Sequence, residues 1–131
     1  MSLIIAIDFD GTIVKDEFPE IGEMIPGAKE NINKLKKEGY TIIIWTCRAG
    51  VKLAKAVLWL AENEIKYDYI NQSCKMNVAK YGGVDTRKIY ANLYIDDRGL
   101  MRPLPHWDEI YWMVRDLVPT YADKVAREGF L

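Results

Sequence analysis

Asp8 and Asp10 stand two residues apart, directly after the unbroken apolar run Leu3-Ile4-Ile5-Ala6-Ile7, and Gly11-Thr12 follow them. Carboxylates this close repel unless a cation or a shared proton lies between them. A second acidic pair, Asp96-Asp97, ends the apolar-rich stretch 89–95, and Thr46 ends a third run centred on Ile42-Ile43-Ile44. Hard oxygen donors with no histidine or thiolate beside them select Mg²⁺ over zinc or copper. Mg²⁺ commonly completes its shell with waters and substrate phosphate, so the chemistry suggested is phosphoryl transfer. Asp8 would attack phosphorus and form an aspartyl-phosphate. Asp10 would protonate the leaving group and then activate water. Thr46 offers a hydroxyl and a backbone N–H to a phosphate oxygen, with Cys47 and Arg48 next to it on the substrate side. Taken singly, each has a plain reading too: an Asp-Gly turn, a strand-end hydroxyl, a turn that caps the next segment, and for Arg48 a surface ion pair.

The surrounding pattern brings these residues together. The first run is short, β-branched and continuous, as in a strand buried on both faces. Residues 13–24 lack a helical period and read as a short flap or hairpin. A helix follows from Pro26 to about Glu38, with Ala28, Ile32 and Leu35 as its core stripe, lysines in its last turn and Gly39 ending it. A second strand spans 40–45. A second helix, about 51–64, is expected to pack through Ala54, Val57, Leu58 and Ala61. A third strand at 67–70 and one or two helical turns around 76–81 come next, then a fourth strand over 89–95. A proline-bearing loop covers 101–106. The helix at 107–118 shows Ile110, Val114 and Leu117 on one face. A last helix runs from 119 to about 127, and a tail at 128–131 is expected to fray. Trp107, Tyr111 and Trp112 read as core, and His106 as structural or surface. Strands alternating with helices make a parallel sheet with crossovers, whose strands all end on one edge, where such sheets bind ligands.

The totals narrow the class. The 131 residues suit one domain spanning 1–131, and half of them are apolar. A net charge of −1 gives no nucleic-acid footprint and no basic membrane patch. No apolar stretch approaches the ~20 residues of a membrane span, and the amino terminus reads as having no signal peptide. The two cysteines, Cys47 and Cys74, and the one histidine lack zinc-ligand spacing. A reducing cytoplasm is the expected setting.

In this order, Asp8-Phe9-Asp10-Gly11-Thr12, a strand ending in Thr46, and Asp96-Asp97 after an apolar run resemble the haloacid dehalogenase-like hydrolase superfamily, over nearly the whole chain. The resemblance implies a three-layer Rossmann-like α/β fold with helices on both faces of a parallel sheet. It implies Asp8 as nucleophile, Asp10 as acid/base and Thr46 as the phosphate-binding hydroxyl. Mg²⁺ would be held by Asp8, the backbone carbonyl of Asp10 and the Asp96-Asp97 pair. Asp10, where longer-lived phosphoenzymes carry threonine, favours a phosphatase. The superfamily also needs a lysine near the phosphate. Lys75, Lys80 and Lys88 are the candidates, and the stretch 88–98, similar to the deoxyribonucleotidase and polynucleotide-phosphatase branches, favours Lys88. Neither 13–26 nor 49–66 has room for a cap domain, so an open site is expected, taking a phosphorylated small molecule or macromolecular end. Two other readings stand beside the phosphatase: a non-catalytic module binding metal and phosphate, and a phosphotransferase to an acceptor other than water.

Overall fold

The computed structural model describes residues 3–129. Four parallel strands form its sheet: β1 (Ile4–Ile7), β4 (Thr41–Ile44), β5 (Tyr69–Ile70) and β6 (Leu93–Ile95), in the order β5-β4-β1-β6. All four residues of β1 are buried, as its unbroken apolar run requires of a central strand. A separate antiparallel hairpin, β2 (Val14–Glu17) with β3 (Glu20–Met24), fills the interval before α1 (Ala28–Lys37). The other helices are α2 (Gly50–Glu62), α3 (Lys75–Lys80), α4 (Trp107–Leu117) and α5 (Tyr121–Glu128). Residues 130 and 131, part of the tail expected to fray, lie outside the described residues, and Glu128 is helical. Among the described residues no helix is long and apolar enough to cross a membrane.

Strand alternation divides the core in two. Ile5, Ile7, Ile42 and Ile44 face a large cluster with α1, α2 and α4. Ile4, Ala6 and Ile43 face a small one with Cys74, Ile89 and Ala91, from the segment that carries α3 and returns to β6. Helices thus flank both faces, three of them on one. His106 caps α4 by accepting the Asp108 N–H at Nδ1, in line with a structural role.

Three sequence expectations change. First, α2 buries Ala56 and Leu60, while Val57 and Leu58 are exposed, and Ala54 and Ala61 also face outward. The bulkier Leu60 and Trp59 fill the space above the sheet, and Trp59 meets Phe9 edge-on at 5.6 Å. Second, the strand expected over 89–95 is reduced to Leu93–Ile95. Asn92 closes the ladder, its N–H donating to the Ile4 carbonyl and its Oδ1 accepting the Ile4 N–H. The Tyr94 hydroxyl, bonded to the Ile89 carbonyl and the Ala91 N–H, draws the preceding residues off the sheet. Third, Trp107 and Tyr111 are buried on α4, but Trp112 and Leu117 are exposed, because the core-facing stripe of α4 runs through Trp107, Ile110, Tyr111 and Val114.

Candidate active site

The parallel register sets the rim. Ile7 pairs with Ile44 on one side and Ile95 on the other. The Asp8 N–H donates to the Ile95 carbonyl at 3.0 Å and the Trp45 N–H to the Ile7 carbonyl at 2.9 Å. Asp8 therefore leaves the sheet between the Thr46 loop and Asp96-Asp97. Carboxylate oxygens of Asp8, Asp96 and Asp97 lie within 4.8 Å of one another, and all three residues are half-buried. Burial, the Asp96 charge and a carboxyl hydrogen bond with Asp97 push Asp8 up to about 8 from an ordinary 3.8. Like charges this close repel, and a cation among them would relieve the repulsion. An all-oxygen, half-buried donor set of this size could hold a divalent cation, for which Asp8, Asp96 and Asp97 would be the ligands.

Gly11 makes this cluster possible. Its φ of +91° is left-handed, and a Cβ there would stand 2.3 Å from Asp97 Oδ2. Thr12, fully buried, ties the two ends of the cluster together. Its hydroxyl donates to Asp8 Oδ2 and accepts the Asp97 N–H, both at 3.1 Å. Its carbonyl accepts the Trp107 indole N–H at 2.9 Å.

Asp10 stands apart from the three. Its carboxylate takes two charge-assisted hydrogen bonds from Arg48, Nε to Oδ2 and Nη2 to Oδ1, each 2.8 Å. The gathering of four carboxylates expected at the rim is thus three plus one, since the fork of Arg48 claims the fourth. Arg48 itself is neither on the surface nor aimed outward. Its side chain is wholly buried, with Nη1 and Nη2 donating to the Pro19 and Glu20 carbonyls at 3.2 and 2.9 Å. Its guanidinium lies over the rings of Phe9 and Phe18. Substrate contact through Arg48 is corrected by this burial.

Thr46 is at the rim, but its backbone N–H is already given to Asn71 Oδ1 at 2.8 Å. Its hydroxyl oxygen accepts the Arg48 N–H at 3.2 Å, which leaves the hydroxyl hydrogen for a ligand. Cys47, beside it, is an exposed free thiol. Lys88 lies on the smaller-cluster side of the sheet, its ammonium 5.6 Å from the centre of the Tyr94 ring, which packs against Trp45. Lys75 lines a depression with Thr41, Asp68 and Tyr69, and Lys80 one with Leu3 and Ile4. Both depressions lie where β1, β4 and β5 begin, the edge opposite Asp8. Lys75 is therefore not brought to the site, because α3 packs low on the sheet.

Three contributors escape a reading of the sequence. Thr12 sits inside the motif, yet its bridging depends on the Asp97 backbone 85 positions away. Asn71, left-handed at φ 54°, holds the Thr46 loop by accepting at Oδ1 and donating from Nδ2 to the Arg48 carbonyl at 3.2 Å. The only signal was an asparagine just past a strand. The third is the loop at 102–105, which with Gly11, Thr12 and Asp97 borders an open cleft of about 540 Å³.

No protein-family model and no curated protein matches the chain. Among solved structures, a conserved protein coded by a locus of Bacteroides thetaiotaomicron is similar at 36% identity and a TM-score of 0.78, over 94% of this chain and 97% of that one. Identity and coverage of this extent place the two together: the chain belongs to the same family as that conserved Bacteroides protein.

Proposed function

We propose that the chain is a Mg²⁺-dependent phosphomonoester hydrolase of the haloacid dehalogenase-like type. The observation that carries this is the half-buried cluster of Asp8, Asp96 and Asp97 at the carboxyl ends of β1 and β6, with Asp10 fixed beside it. An Asp8 carboxylate oxygen forms a bond to phosphorus as the bond to the leaving oxygen breaks, and Asp10, entering the step as the carboxylic acid, gives its proton to that oxygen and becomes the carboxylate. The Asp10 carboxylate then takes a proton from water, whose oxygen displaces Asp8 and releases inorganic phosphate. Asp8, Asp96 and Asp97 would hold Mg²⁺, which would supply positive charge beside the transferring group. The Thr46 hydroxyl holds one phosphoryl oxygen and Lys88 supplies the cation on the other side. The substrate is a phosphorylated small molecule or macromolecular end, and the two free thiols support a cytoplasmic setting.

The test is phosphate release from 4-nitrophenyl phosphate by wild type and Asp8→Asn, with Mg²⁺ and with chelator. Release that needs Mg²⁺ and falls at least a thousandfold in the variant is expected. Equal release by the folded variant would remove Asp8 as nucleophile, and no release by wild type from aryl, alkyl, phosphopeptide or phosphorylated nucleic-acid-end substrates would remove the phosphatase reading.

A further inference from the structure

Among the described residues Arg48 is the one charged side chain that is fully buried, and the proposed reaction leaves it without a task. A buried guanidinium is costly unless every donor is occupied, and here they are. The fork grips both oxygens of Asp10, and the remaining donors reach Pro19 and Glu20 at the hairpin turn, with a longer 3.4 Å contact to the Lys52 carbonyl in α2. Phe9 and Phe18 lie against the guanidinium, at 5.4 and 5.1 Å from their ring centres. Phe18 is half-exposed at the hairpin tip. One side chain therefore joins the acid/base carboxylate to the hairpin that precedes α1.

We propose that Arg48 is a positioning residue: together with the β2–β3 turn it fixes the plane of the Asp10 carboxyl group, so that its acid form faces the leaving oxygen. This rests on the phosphatase reading and adds to it a dependence of acid catalysis on the hairpin. A bidentate guanidinium–carboxylate pair fixes both distance and plane, whereas a lysine in the same place is a single rotatable donor. Loss of the fork therefore leaves the Asp10 carboxyl group nearby but free to turn.

The experiment uses leaving groups as the readout. Nitrophenolate departs without a proton, whereas an alkoxide needs one. General acid catalysis contributes roughly 10²–10⁴ in rate. In Arg48→Lys, kcat/KM for a simple alkyl phosphate should fall at least a hundredfold and that for 4-nitrophenyl phosphate tenfold or less. Phe18→Ala, at an exposed tip where folding is not at stake, should show the same bias at about three- to tenfold. Adding Asp10→Asn to Arg48→Lys should produce no further leaving-group bias beyond that of Asp10→Asn alone. An equal loss on both esters in either variant, or additive losses with Asp10→Asn, would overturn the proposal while leaving the phosphatase reading intact. Failure of wild type to hydrolyse both esters and any phosphopeptide or phosphorylated nucleic-acid end would instead sink the reading on which it rests.

Discussion

At the scale of single residues, the site turns on how little space separates Gly11 from Asp97. A side chain at 11 meets two penalties: a left-handed backbone, about 1–2 kcal/mol for an L-residue, and a carboxylate 2.3 Å from its Cβ. The Asp97 carboxylate has to move away from its place beside Asp8. Gly11→Ala should cost at least the ~1–2 kcal/mol of the left-handed backbone and weaken Mg²⁺ binding at least tenfold, read by calorimetric titration. Unaltered Mg²⁺ affinity in a folded variant would show that Asp97 is not a ligand. The acidic residues themselves were legible in the sequence, because carboxylates at the end of a buried strand have few structural uses. The division of labour among them was not, since the turn of Asp10 toward Arg48 depends on a partner 38 positions away.

At the scale of elements, α5 is fastened by charge rather than burial. None of its residues is buried, and a Thr120–Asp123 capping box begins it. Arg115 of α4 bonds Asp123, Tyr111 and Glu38. The Arg115 hydrogen bond holds Asp123 down at about 2, so this contribution is present above the ordinary carboxylate value and is lost as pH falls from about 4 toward 2. Arg115→Ala should remove amide-exchange protection from residues 121–128, with the sheet and activity at neutral pH unaffected. Protection that survives in α5 would mean that apolar contact holds it. Periodicity revealed this helix and the others, but not which way α2 turns. Its two apolar stripes are nearly equivalent in sequence, and only the bulk of Trp59 against Phe9 decides between them.

At the scale of the whole molecule, the acidic rim sets a cost that the rest of the fold bears. The value for Asp8 is raised on folding, so the folded chain holds more protons than the unfolded one between 3.8 and about 8. Stability without a cation should therefore be greatest near the low end of that window and decline as pH rises through it. A ligand that binds only the folded state stabilises by about 2.7 kcal/mol at a hundred times its Kd. The Tm gained on adding Mg²⁺ should accordingly be larger at pH 8 than at pH 5. Asp8→Asn should flatten the pH dependence and shrink the Mg²⁺ increment. A Tm gain equal at both pH values would argue against Asp8 as a ligand. The sheet was legible throughout, since buried parallel strands advertise themselves as continuous apolar runs. The shortening of β6 was not, because it follows from side-chain hydrogen bonds of Asn92 and Tyr94.

The buried arginine also acts as a ruler. Its reach is fixed by three methylenes, and it meets the Pro19 and Glu20 carbonyls only because β2 and β3 close their turn there. A longer ribbon would carry those carbonyls out of range and strand a charge in the interior. The brevity of the hairpin and the depth of Arg48 are thus one feature, and a roof over the site could not be grown from this turn without first giving that arginine something else to hold.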